Sequence, residues 1–120
     1  MASFEFLSIG MIIAERSLKL RRAQNEIEIP VRIFAPQRDR DSWSCGYEIE
    51  WPEGLRAGRA GGFDSVQAIL FALEMVGAEI YTSDYHKSGH LIWTEPQLGY
   101  GFPVPHNIRD MLIGDDARYL

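Results

Sequence analysis

The chain has 120 residues, 46% of them apolar and 12% aromatic, which suits one folded domain with its own core and excludes a disordered segment. The formal net charge of −5 speaks against general nucleic-acid binding, whose affinity comes mostly from Lys and Arg on phosphates. A single cysteine, Cys45, permits no intramolecular disulfide and fits a reducing, cytoplasmic setting. No apolar run has membrane-spanning length, and the N-terminus lacks the pattern of a signal peptide.

Residues 1–10, M-A-S-F-E-F-L-S-I-G, precede a second methionine, Met11, and read as a candidate N-terminal extension. From Ile12 the residues Ile12, Ala14, Arg16, Leu18 and Leu20 point one way, and Ile13, Glu15, Ser17, Lys19 and Arg21 the other, which is strand alternation. Arg16, in an apolar register, calls for a partner such as Glu5 or a backbone carbonyl, or for an edge position. After a turn at residues 23–25, Ile27, Ile29, Val31 and Ile33 alternate with Glu26, Glu28, Pro30 and Arg32, so the two runs predict a hairpin. Pro30 cannot donate to a ladder and marks an edge or a bulge. Residues 35–42 read as a charged loop. Trp43, Cys45, Tyr47, Ile49 and Trp51 then form the inward side of a third strand, and after the turn at Pro52-Glu53-Gly54 residues 55–60 read as a short fourth.

The stretch Gly61–Tyr81 predicts the main helix. Asp64 is its cap, and Gln67, three residues on, completes a capping box. Val66, Ile69, Leu70, Leu73, Val76 and Ile80 recur at helical spacing and are expected on the sheet, over Trp43, Tyr47, Ile49, Ile29 and Val31. Nearly opposite lie Ala68, Phe71, Met75 and Ala78, a second apolar face. That face is expected to be buried, either beneath residues 98–104 of the same chain or in a two-fold homodimer. Beyond Tyr81 the residues T-S-D-Y-H-K-S-G read as a loop, 90–94 as a further strand, 95–105 as irregular, and 107–113 as a short helix capped by Asn107 and stopped by Gly114. The fold expected is therefore α+β: an antiparallel meander of three to five strands, one long helix across one face and a short C-terminal helix.

Three sets of residues raise chemistry. Arg56 and Arg59, with the glycines before the helix, offer a candidate anion-binding turn, although Asp64 places negative charge where an anion would sit. Asp84, His86 and His90 have the chemistry of metal ligands, with Cys45 or His106 as distant additions, and a solvated polar loop is the plainer account. Glu48, Glu50, Glu26 and Glu28 make an acidic outer sheet face, or else pair across strands with Lys19, Arg21 and Arg32. No residue is assigned a catalytic role, no motif calls for a cofactor, and Cys45 is expected inward and inert.

The segments I-A-E-R-S-L, V-R-I-F-A-P, W-S-C-G-Y-E-I and G-G-F-D-S-V-Q-A-I-L-F-A-L, spanning residues 12–82, resemble a family of small bacterial proteins classed as a domain of unknown function. The resemblance implies a bacterial origin and a compact α+β domain. Residues 47–54, followed by residues 64–73, are also similar to HicB-type antitoxins, in which a tyrosine-bearing strand and a W-P-E-G-like turn lead to an acidic-capped helix.

The reading favoured is a non-enzymatic bacterial protein–protein interaction module, immunity- or antitoxin-like, acting as a homodimer or on another protein. The alternative is a metal-dependent or small-ligand-binding enzyme built on Asp84, His86 and His90, and ligand binding at Trp43, Tyr47, Trp51 and Trp93 is a third possibility.

Overall fold

The computed structural model describes residues 10–120. The expected extension (residues 1–9 of it) and Glu5 as partner of Arg16 lie outside the described residues. Along the chain run strands β1 (Ile12–Arg21), β2 (Glu26–Phe34), β3 (Gln37–Asp39), β4 (Ser42–Trp51) and β5 (Gly54–Gly62), then helix α1 (Ser65–Tyr81), helix α2 (Asp84–Lys87), strand β6 (Leu91–Ile92), a 3-10 helix (His106–Met111) and helix α3 (Gly114–Tyr119). The fold is α+β, an antiparallel sheet with a long helix packed against it.

The six strands exceed the expected three to five by β3, which lies in the segment expected as a loop and is too short to show an alternation, whereas β6 falls within the strand expected at 90–94. Strand β5 pairs with β4 along its whole length, from Trp43↔Gly62 to Trp51↔Gly54. A strand has two edges, so β3 and β2 share the other one, β3 at Gln37↔Ser44 to Asp39↔Ser42 and β2 at Val31↔Ile49 to Ile33↔Tyr47. The β2 register begins just past Pro30, which has no amide to give. Strand β1 lies beside β2 and is followed by β6 at Lys19↔Ile92 and Leu20↔Leu91.

The described residues divide into two compact units: residues 10–16 together with Val31–Ala72, and Ser17–Pro30 together with Leu73–Leu120. In the first, Val31, Ile33, Cys45, Tyr47, Ile49, Ala60, Ala68 and Ala72 are buried. Asp64 Oδ1 accepts from Gln67 N at 2.8 Å and caps α1, while Gln67 Oε1 accepts from Phe63 N at 2.7 Å, one residue earlier than a capping box requires.

The buried face of α1 is the expected one only in part, at Val76 and Ile80. Val66 and Leu70 are exposed and Ile69 and Leu73 only half-buried, whereas Ala68, Ala72, Val76 and Ile80 are fully buried. The helix is turned toward its small side chains because the backbone lies close. A Cβ at Gly62 would overlap the backbone of Ala68, so the end of β5 lies directly against the first turn of the helix.

In the second unit Leu18, Leu20, Ile29, Val76, Ile80, Leu91 and Ile92 are buried together with Tyr81, Tyr100, Phe102, Val104 and Leu112. A Cβ at Gly77 would overlap the carbonyl oxygen of Pro103, so the segment through Pro103 and Val104 lies directly on the second half of α1. Two local expectations are corrected here. The loop after Tyr81 contains α2, capped by Ser83, whose hydroxyl accepts from His86 N. The expected helix at 107–113 is instead a 3-10 turn, and Gly114, with φ of +56°, starts α3 rather than stopping a helix.

Candidate functional site

Helix α1 and the residue before its cap present an apolar stripe formed by Phe63, Val66, Leu70 and Phe71. Phe63 is 89% exposed, Val66 63%, Leu70 51%, Phe71 40% and Met75 38%. Positions 63, 66 and 70 follow the three- and four-residue spacing of one helical side and Phe71 flanks them, whereas Met75 lies nearly opposite Val66. Phe63, Val66, Leu70 and Phe71 together are unlike the scattered apolar residues of an ordinary surface. At the start of the stripe is an open hollow of about 320 Å³, lined by Ser42, Gly61, Gly62, Phe63, Gln67 and Phe71. The stripe is bare only at its N-terminal end, since farther along the same side Gly77 is covered by Pro103 and Tyr81 is buried.

Of the expected interface residues, Phe71 and Met75 are therefore exposed, Ala78 is half-buried and Ala68 is inside. Ala68 cannot touch a partner in this conformation. The expectation that residues 98–104 bury Phe71 and Met75 is also corrected, because that segment packs at Gly77 instead. Sequence reasoning missed Phe63, Val66 and Leu70 as surface residues. The glycines and alanines of the opposite side were the available signal, since small residues mark where backbones approach.

Arg56 and Arg59 lie within β5 and not at the helix start. Because successive strand residues alternate, Arg56, opposite Ile49, and Arg59, opposite Gly46, point to opposite faces of the sheet and do not converge on one anion. Asp84, His86 and His90 are not brought together in this conformation. Among the described residues no three His, Cys, Asp or Glu side chains are placed to hold a metal, and His86 Nδ1 is 2.6 Å from the Tyr100 hydroxyl instead.

His86 belongs to a buried polar network that the sequence did not reveal. Asp116, 3% exposed, accepts from the Tyr81 hydroxyl at 2.6 Å and from Tyr100 N at 2.7 Å through Oδ2, and from Gly101 N at 2.8 Å through Oδ1. Tyr81, His86 and Tyr100 stand edge to face, with ring centroids 4.9–5.5 Å apart. Burial, and then Asp116, push the Tyr100 hydroxyl up to about 12, while burial and the Asp116 hydrogen bond raise Tyr81. Burial lowers the His86 pKa from 6.5. At neutral pH both tyrosines keep their protons and His86 is uncharged. The arrangement fastens α3 to the preceding loop.

A family model for a domain of unknown function, DUF6968, matches residues 14–104. The chain belongs to the DUF6968 family. No curated protein and no solved structure matches it, so the HicB-type similarity rests on its short motif alone. The apolar stripe and β5 lie inside the DUF6968 match, whereas α3 and Asp116 lie beyond it.

The acidic face of the DUF6968 domain is largely occupied by its own cations. Arg32 Nη1 is 2.5 Å from Glu50 and 2.7 Å from Glu48, and its Nε is 2.9 Å from Glu15, so Glu50 foremost, then Glu48, hold the guanidinium protonated. Glu26 takes Lys19 and Arg21, and Glu28 accepts from the Ser17 hydroxyl. Cys45, buried, donates to Phe34 O at 3.2 Å, and burial raises its pKa, which keeps the thiol protonated and unreactive.

Proposed function

We propose that this DUF6968 chain is a non-enzymatic protein–protein interaction module whose contact surface is the N-terminal part of the α1 stripe, Phe63, Val66, Leu70 and Phe71. The observation that carries the reading is the exposure of these side chains on one helical side, next to a hollow able to take a partner's anchor. Leaving that much apolar surface in water is unfavourable by about 25 cal/mol per Å², which contact with a partner recovers. A bacterial, cytoplasmic protein that holds and neutralises another protein is the narrower form of the proposal, supported by the lone Cys45 and by the antitoxin-like motif at residues 47–54. Homodimerisation through the stripe is the second form, supported by the same patch, because a two-fold interface uses one surface twice.

The test is selection of binders from a displayed library of protein fragments, followed by measurement of each binder against a Leu70→Lys, Phe71→Glu variant. Binding lost at an unchanged melting temperature supports the reading. Sedimentation of the parent chain reports the dimer. Binders indifferent to both substitutions, together with a monomeric parent, contradict the proposal.

A further inference from the structure

We propose that the Tyr81 hydroxyl and the backbone amides of Tyr100 and Gly101 form a carboxylate-binding site, which Asp116 fills from within the chain and which a small carboxylic acid occupies when α3 lifts away. The inference goes beyond the interaction-module reading and does not depend on it. All four residues belong to the compact unit that contains Leu73–Leu120. The receiving half is shaped by the backbone. Gln97, Gly99 and Gly101 have φ of +69°, +91° and +75°, and this alternation of left-handed and ordinary residues turns successive N–H groups into one concavity that suits an anion. A Cβ at Gly99 would overlap the Asp116 carboxyl group, so the loop lies directly against it.

The donors define the ligand. The Tyr81 hydroxyl at 2.6 Å and Tyr100 N at 2.7 Å meet one carboxylate oxygen, and Gly101 N at 2.8 Å meets the other. A group with two acceptor oxygens and no proton of its own matches this set, whereas an amide would bring an N–H group against these donors. Hydrogen bonds from neutral donors to a carboxylate are charge-assisted and roughly twice as strong as neutral ones.

The half that supplies the carboxylate is loosely attached. Among the described residues of α3, Asp116 alone is buried, and Ala117, Arg118, Tyr119 and Leu120 are exposed. A six-residue helix is unstable by itself, and burying a carboxylate brings no hydrophobic gain to offset that. Its other fastenings include Asp115 N to Leu98 O at 2.9 Å, Ile113 N to the Tyr81 hydroxyl at 3.3 Å, and Arg109 to the Leu120 carbonyl. Tyr81, Tyr100 and Gly101 lie within the DUF6968 match and Asp116 beyond it, so the site belongs to the domain and its occupant to the tail. Asp116 is thus a tethered ligand. Tethering gives it an effective concentration of about millimolar or more, and a free acid competes in proportion to the fraction of molecules in which α3 is lifted.

The probe is sodium formate, which matches the group removed in Asp116→Ala. It is titrated into that variant of the full chain and compared with sodium chloride at equal ionic strength and with formamide, its neutral counterpart. Saturating shifts of the Tyr100 and Gly101 amide resonances are expected, with a melting temperature that rises with formate and not with the controls. Adding Tyr81→Phe should weaken formate about fivefold or more by removing one donor. In the parent, acetate should move the same two amides only at concentrations at least about tenfold higher, because Asp116 competes. Gly114→Ala keeps every donor but sets a Cβ against the Leu98 backbone, which loosens α3 and should lower that concentration. Formate that acts no differently from chloride or formamide, indifference to Tyr81→Phe, or acetate that affects Gly114→Ala no more than the parent would overturn the proposal and leave Asp116 as an anchor alone. If Asp116→Ala does not fold even in formate, the acetate titrations of the parent and of Gly114→Ala decide by themselves.

Discussion

The Tyr81 hydroxyl donates to Asp116 Oδ2 at 2.6 Å and joins residues 35 positions apart in the chain. The same hydroxyl accepts from Ile113 N at 3.3 Å, so one oxygen serves both the last residue of α1 and the start of α3. Tyr81→Phe would leave a buried carboxylate short of a donor and an amide short of an acceptor. The expected loss is about 1–3 kcal/mol in urea unfolding. A change too small to measure would mean that water replaces the hydroxyl.

The pH dependence of stability should carry the signature of His86. Burial lowers its pKa in the folded state below 6.5, so the unfolded chain takes up a proton at higher pH than the folded one. Its contribution is complete above 6.5 and is lost as pH falls through the window just beneath. Melting temperature followed downward from neutral pH should drop more steeply for the parent than for His86→Gln, which does not titrate. Parallel curves would contradict this assignment.

Gly77 supplies a test whose sign is informative. In an open helix, Gly→Ala usually stabilises by about 1 kcal/mol. At Gly77 the added Cβ would overlap the Pro103 carbonyl, and forcing the two apart is expected to cost about 1–3 kcal/mol, so overpacking outweighs propensity. A variant that melts higher than the parent would show that the segment through Pro103 does not rest on α1.

Much of the fold was legible because it rests on local periodicity. The alternations in β2 and β4, the Asp64 cap and the extent of α1 follow from residues a few positions apart. The choice of buried helix face was not legible from hydropathy. Ranking by hydropathy favours Val66 and Leu70, but the close backbone approach at Gly62 favours Ala68 and Ala72. The expected face was thus right at Val76 and Ile80 and wrong at Val66 and Leu70, and the candidate interface became Phe63, Val66 and Leu70 with the expected Phe71. The Asp116 network left no trace either, because Tyr81, Tyr100 and Asp116 meet only after folding and share no spacing. Asp84, His86 and His90 resembled a metal set by spacing, but α2 directs His86 to Tyr100.

The central claim is that the N-terminal part of the α1 stripe stands open in the isolated chain and is covered by a partner. Leu70→Cys places a thiol there, while the native Cys45 is fully buried and gives no competing signal in the folded state. The measurement is the rate of thiol labelling with and without a bound fragment. Rapid labelling of the isolated protein, slowed in proportion to fragment occupancy, is the predicted result. Labelling that is slow from the outset in a monomer, or that no bound fragment slows, would contradict the account.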